Sequence, residues 1–101
     1  MTKIRSNDCS ILLVDDNPFV LAGLGKQFEN QGYSVTRADC GEKAVETLKK
    51  QTFDLLITDV VMKEIDGFAV AKKMMSLYPD SAILILTGYS QTEFAINALR
   101  M

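Results

Sequence analysis

The sequence predicts an α/β domain built on a parallel sheet with helices wound on both faces. Short, almost wholly apolar runs at residues 11–14, 53–58 and 82–86 alternate with longer stretches of helical periodicity. Strands that are apolar throughout belong to a sheet covered on both sides rather than one with a wet face. Two of these runs end directly in acids, Asp15-Asp16 and Asp59, at the strand ends where open α/β sheets hold their ligands. Right-handed crossovers make a doubly wound sandwich the natural architecture.

The elements follow in order. After the first strand, Pro18 stands where a helix can begin with its fixed φ, and Leu21, Leu24 and Phe28 recur at helical spacing up to Gln31-Gly32, a plausible left-handed cap. Residues 33–37 alternate as a second strand. Gly41 opens a second helix in which Ala44, Val45 and Leu48 share a face and Glu46 precedes Lys50 by four residues on a solvated one. The third strand, 53–58, leads into Asp59. Asp66-Gly67 marks the turn before a helix with two apolar rows, Val70/Met74/Leu77 and Ala71/Met75/Tyr78, in which the methionines read as core filler. Pro79-Asp80 breaks that helix, residues 82–86 form a fourth strand, and 92–99 has the spacing of a last helix.

At 101 residues the chain has room for one core, so residues 1–101 are expected to form a single domain. With 48% hydrophobic and 24% charged residues, it can bury that core and remain solvated. A net charge of -2 without a Lys/Arg cluster disfavours direct nucleic-acid binding. Cys9 and Cys40 are isolated, and there is neither a signal peptide nor an apolar run of membrane-spanning length. The expectation is a cytoplasmic domain with reduced thiols and no membrane partner. The absence of His removes the commonest general base and zinc ligand, leaving carboxylates, hydroxyls or a bound cation to carry chemistry.

With strand order 2-1-3-4, the first and third strands are neighbours at the point of reversal, and Asp15, Asp16 and Asp59 converge there. Three ionised carboxylates repel one another unless a cation joins them. A hard divalent ion such as Mg²⁺, which takes one or two carboxylates and a phosphate oxygen, fits that need and suits phosphoryl transfer. Thr87 directly follows the fourth strand at the same end of the sheet.

These segments resemble the response-regulator receiver domain, a flavodoxin-like family of two-component signalling. The matching stretches are residues 11–16, residues 54–59 with Met62 and Gly67 behind them, and residues 83–88. Each is weak alone, but together they are specific and span most of the chain. The resemblance implies that Asp59 accepts a phosphoryl group from a histidine kinase or phosphotransfer protein. It implies that Asp15, Asp16, Asp59 and the backbone carbonyl of Val61 hold Mg²⁺, and that the Thr87 hydroxyl contacts the phosphoryl group as a switch.

Two departures stand out. Lys63 occupies a position where the family usually has Pro, and the sequence stops at Met101 before the family's fifth strand, with its Lys, and its fifth helix. The expected form is therefore a receiver shortened at its C-terminus, with an open outer edge on the fourth strand and self-association, most simply as a dimer, through that edge. The main alternative is a pseudo-receiver that is never phosphorylated and acts as an interaction module. An Asp-nucleophile phosphatase is disfavoured because Val61 stands where its second Asp belongs. The Gly23-Leu24-Gly25-Lys26 run fails as a phosphate loop because Val20 replaces its first Gly and Gln27 its Ser/Thr, so these read as two helix-weakening glycines that could allow close packing.

Overall fold

The computed structural model describes residues 9–60 and 65–86 and, in backbone only, Asn97–Leu99. The elements are β1 (Ser10–Val14), α1 (Pro18–Asn30), β2 (Ser34–Ala38), α2 (Gly41–Lys50), β3 (Leu55–Asp59), α3 (Gly67–Leu77), β4 (Ala82–Leu86) and β5 (Asn97–Leu99). The first four strands are parallel and ordered 2-1-3-4, as the sequence predicts, with β5 beside β4.

Alternation along the strands divides the interior between two faces. Leu12 and Val14 of β1, Leu56 of β3, and Ile83 and Ile85 of β4 pack with Ala44 and Leu48 of α2 and Val70, Ala71 and Met74 of α3. On the other face, Ile11, Leu13 and Ile57 meet Leu21 of α1, with Leu24, Phe28, Leu84 and Leu86 partly buried around them. Among the described residues α1 is the sole helix on this second face. A groove of about 570 Å³ runs beside it, floored by Ile57, Leu84 and Leu86 and walled by Val20, Leu24 and Phe28.

Local chemistry sets the helix ends. Asn17 caps α1, its Oδ1 accepting from Phe19 N at 2.9 Å, with Pro18 in the first turn. At the other end Gly32 adopts φ 98°, Gly32 N donates to Glu29 O at 2.9 Å and Tyr33 N to Phe28 O at 3.1 Å. This is the paired closure that a left-handed glycine permits, and the Phe28 and Tyr33 rings complete it edge-to-face at 5.8 Å. Asp66 caps α3 through Ala69 N at 2.9 Å. Where α3 stops before Pro79, the Tyr78 hydroxyl donates to Leu48 O at 2.6 Å and reaches Gln51 O at 3.3 Å, tying the ends of α2 and α3 together.

One expectation is corrected at the C-terminal end. Helical spacing over 92–99 predicts a helix, but Asn97–Leu99 is a strand running antiparallel to β4, in the register Ile83↔Leu99, Leu84↔Ala98 and Ile85↔Asn97. Residues 92–96 lie outside the described residues. Eight residues are too few for periodicity to separate helix from strand, whereas the bare edge of an apolar strand presents a row of donors and acceptors that any nearby backbone can satisfy. The open β4 edge, on which self-association was argued, is therefore occupied along its centre by the chain itself.

The Tyr78 bridge yields a test. Tyr78→Phe keeps the ring and removes the hydroxyl, and should lower unfolding stability by about 1 kcal/mol, read as a lower urea midpoint at unchanged slope.

Candidate functional site

Parallel pairing of β1 with β3 places Val14 opposite Thr58, so Asp15, directly after β1, and Asp59, the last residue of β3, lie side by side at the same end of the sheet. One carboxylate oxygen from each of Asp15, Asp16 and Asp59 lies within 4.8 Å of the other two. The structure thus brings together the three acids singled out from sequence. Asp15 is buried at 7% exposure, Asp16 is exposed and Asp59 lies between. Val61 and Thr87 lie outside the described residues, as do Met62 and Lys63.

The backbone beneath the acids is held from several directions. Asp15 N donates to Ala38 O of β2 at 3.2 Å, and Val60 N donates to Leu86 O of β4 at 3.2 Å. The fully buried Thr58 hydroxyl donates to the carbonyl of Asp59 at 3.0 Å. Gly67 N donates to Val60 O at 3.0 Å, and a Cβ on Gly67 would overlap the Asp59 carbonyl. Gly67 is thus required at the start of α3 because the backbone of the acid-bearing residue rests on it. Gly41, at the start of α2, is crowded in the same way by Ile65, whose Cβ would stand 2.7 Å from a side chain there.

Two contributors escape the sequence reading. Asn17 caps α1 and also donates its backbone N–H to Asp15 Oδ1 at 2.9 Å, fixing that carboxylate's orientation. An Asn before a helix-opening Pro is a legible cap, but its bond to Asp15 follows only from the fold. Thr58 reads as an ordinary strand residue, and nothing in the sequence marks its hydroxyl as a support for Asp59.

Burial is the main cause that raises the Asp15 pKa above its ordinary 3.8; the Asn17 N–H lowers it, and the charges of Asp59 and Asp16 raise it further. A carboxyl whose folded pKa is raised contributes stability below its unfolded pKa and loses that contribution as pH climbs through the folded value. The ionised form of Asp15 is thus the costly one, because burial and the neighbouring acids both disfavour its charge. Asp15→Asn keeps an acceptor for Asn17 and removes the charge. Without added cation at pH 7 it should raise the thermal midpoint above that of the wild type. The difference should shrink as pH falls through the raised Asp15 pKa toward 3.8.

A divalent cation would relieve the same repulsion, and an all-oxygen set of two or three carboxylates matches a hard ion such as Mg²⁺ or Ca²⁺. No helix among the described residues is long and apolar enough to cross a membrane.

Comparison with known proteins agrees with this geometry. The sequence profile described as response regulator receiver domain matches residues 11–101. The chain is 38% identical over 94 residues to the transcriptional regulatory protein ZraR of Escherichia coli K12, covering 93% of this chain but 21% of that protein. It thus spans about a fifth of that relative's length. It is 40% identical over 80 residues to the response regulator receiver protein CpdR of Brucella abortus, covering 79% of this chain and 67% of that one. Among solved structures, the response regulator TrrA of Thermotoga maritima, in complex with Mg²⁺-BeF, superposes with a TM-score of 0.75 at 33% identity, over 84% of this chain and 74% of that one. A response regulator from Burkholderia pseudomallei, with a phosphorylated aspartic acid, calcium ion and citrate, superposes with a TM-score of 0.76 at 29% identity, over 82% and 49% of the two chains. Acids at the carboxyl ends of β1 and β3, a 2-1-3-4 parallel core and a family match over nearly the whole sequence lead to one conclusion: the chain belongs to the response regulator receiver domain family.

Proposed function

We propose that this domain is a phosphorylation switch in which Asp59 accepts a phosphoryl group from the phosphohistidine of a histidine kinase or phosphotransfer protein. The observation that carries the reading is the meeting of Asp15, Asp16 and Asp59 within 4.8 Å at the carboxyl ends of β1 and β3. The phosphorylated aspartic acid of the Burkholderia protein and the Mg²⁺-BeF of the Thermotoga protein support it.

In this scheme a carboxylate oxygen of Asp59 attacks phosphorus. The P–N bond of the donor breaks and the departing imidazole keeps the electron pair, leaving an aspartyl phosphate. Asp15 and Asp16 serve with Asp59 as ligands to Mg²⁺, joined by the Val61 carbonyl. The ion supplies positive charge where phosphoryl oxygens and carboxylates would otherwise repel. The domain's own part is positional. Thr58 and Gly67 fix the backbone of Asp59, the Asn17 N–H orients Asp15, and Thr87 donates its hydroxyl to a phosphoryl oxygen as the switch engages. The domain acts only on itself, in its own phosphorylation and the later hydrolysis of the acyl phosphate.

Incubation with acetyl phosphate and Mg²⁺, followed by intact mass measurement, tests this directly. The wild type should gain a single phosphoryl group, Asp59→Asn none, and chelation of Mg²⁺ should suppress the gain. Label persisting on the Asn variant would move the nucleophile elsewhere. A folded wild type that takes no label would favour the pseudo-receiver reading, in which the surface serves only protein interaction.

A further inference from the structure

The glycines of α1 have a use that the phosphoacceptor reading does not draw on. Gly25 faces the Arg37 side chain of β2 so closely that a Cβ there would overlap the guanidinium, lying 2.6 Å from its Cζ and Nε. On this bare patch of helix each guanidinium nitrogen donates one hydrogen bond to α1. Arg37 Nε donates to the Leu21 carbonyl at 3.0 Å, while Nη1 and Nη2 donate to the two carboxylate oxygens of Glu29 at 3.1 Å each. The planar fork therefore spans two turns of α1, one contact to backbone and two to a side chain.

Arg37's place in β2 gives this clamp its meaning. Its neighbour Ala38 supplies the carbonyl that accepts from Asp15 N at 3.2 Å. Consecutive residues of β2 thus hold both ends of the segment from Asp15 to Leu21, which carries Asp15, Asp16 and the cap Asn17. Among the described residues the groove beside α1 has no helix packed along that flank, and Arg37 supplies lateral restraint from the β2 side.

We propose that Arg37, seated on Gly25, is a positioning residue for the acidic site: by fixing α1 to β2 it sets Asp15 and Asp16 against Asp59 and so tunes the affinity of the site for a divalent cation. The inference rests on the reading of these acids as the Mg²⁺ ligands. An ordinary surface ion pair would contribute a little stability and nothing to cation binding. The Leu21 carbonyl contact and the glycine seat distinguish this pair from such a case.

The test is Mg²⁺ titration of the 101-residue chain, followed by the amide resonances of Asp16 and Asn17. The proteins compared are wild type, Arg37→Met, Gly25→Ala and the double variant, with urea unfolding alongside. Arg37→Met should weaken Mg²⁺ binding about tenfold, the lower end of what groups supporting metal ligands contribute. Gly25→Ala favours the helix intrinsically yet expels the guanidinium, and should weaken binding in the same direction. The double variant should bind no worse than Arg37→Met, because seat and occupant act as one unit. With Mg²⁺ saturating, labelling by acetyl phosphate should return to the wild-type rate in all three. Unchanged Mg²⁺ affinity in Gly25→Ala or Arg37→Met, whatever happens to stability, overturns the proposal, as does strict additivity in the double variant. Should Arg37→Met fail to fold, Gly25→Ala decides alone. A wild type whose Asp16 and Asn17 resonances ignore Mg²⁺ would instead overturn the metal reading on which the inference stands.

Discussion

The adjacency of β1 and β3 is the constraint on which the site depends. The two strands are separated in sequence by α1, β2 and α2, and only the placing of β2 on the far side of β1 lets them pair. Once paired in the register Val14↔Thr58, the acids that follow have no choice but to meet. The hydrophobic cores on the two faces hold that register, since a slip of one residue would exchange Leu12 and Val14 for Ile11 and Leu13 across the sheet. The apolar interior thereby fixes the distance between charged groups that it never touches.

Such a meeting opposes the fold. Carboxylates gathered at the edge of a nonpolar interior lose hydration and repel one another, and the raised pKa of Asp15 is the visible sign. The surrounding structure tolerates this because its own polar groups are satisfied: among the described residues no buried side-chain nitrogen or oxygen lacks a hydrogen-bond partner. The electrostatic cost is concentrated at this one cluster of acids, where a bound cation would offset it.

Much of this was legible in the sequence because strand periodicity and strand-terminal acids are local signals. Four parallel strands, three helices and the acidic triad follow from runs such as Ile11-Leu12-Leu13-Val14 and from what stands directly after them. Residues 97–99 depart from the helix their spacing predicts because apolar spacing over so short a stretch fits helix and strand equally, and pairing with β4 decides between them. The supports of the site were hidden for another reason. Thr58, Gly41 and the Arg37–Gly25 contact acquire their roles from neighbours distant in sequence, and a side chain's partner across a crossover leaves no trace in its own surroundings. The two helix-weakening glycines of α1 differ in use: Gly25 is packed by a side chain that its own surroundings do not name, whereas a Cβ on Gly23 would meet nothing within 4 Å.

Gly41 and Gly67 stand at the first turns of α2 and α3, and the chain segment leaving Asp59 rests on both, through Ile65 on one and the Asp59 carbonyl on the other. Neither surface carries a side chain that interlocks with what lies on it. At these two contacts backbone and Ile65 lie directly against bare helix, and the hydrogen bond from Gly67 N to Val60 O fixes one of them. The geometry that leaves no room for a methyl group thus sets the acid at the end of β3 and Ile65 directly on the first turns of the two helices that share a single face of the sheet.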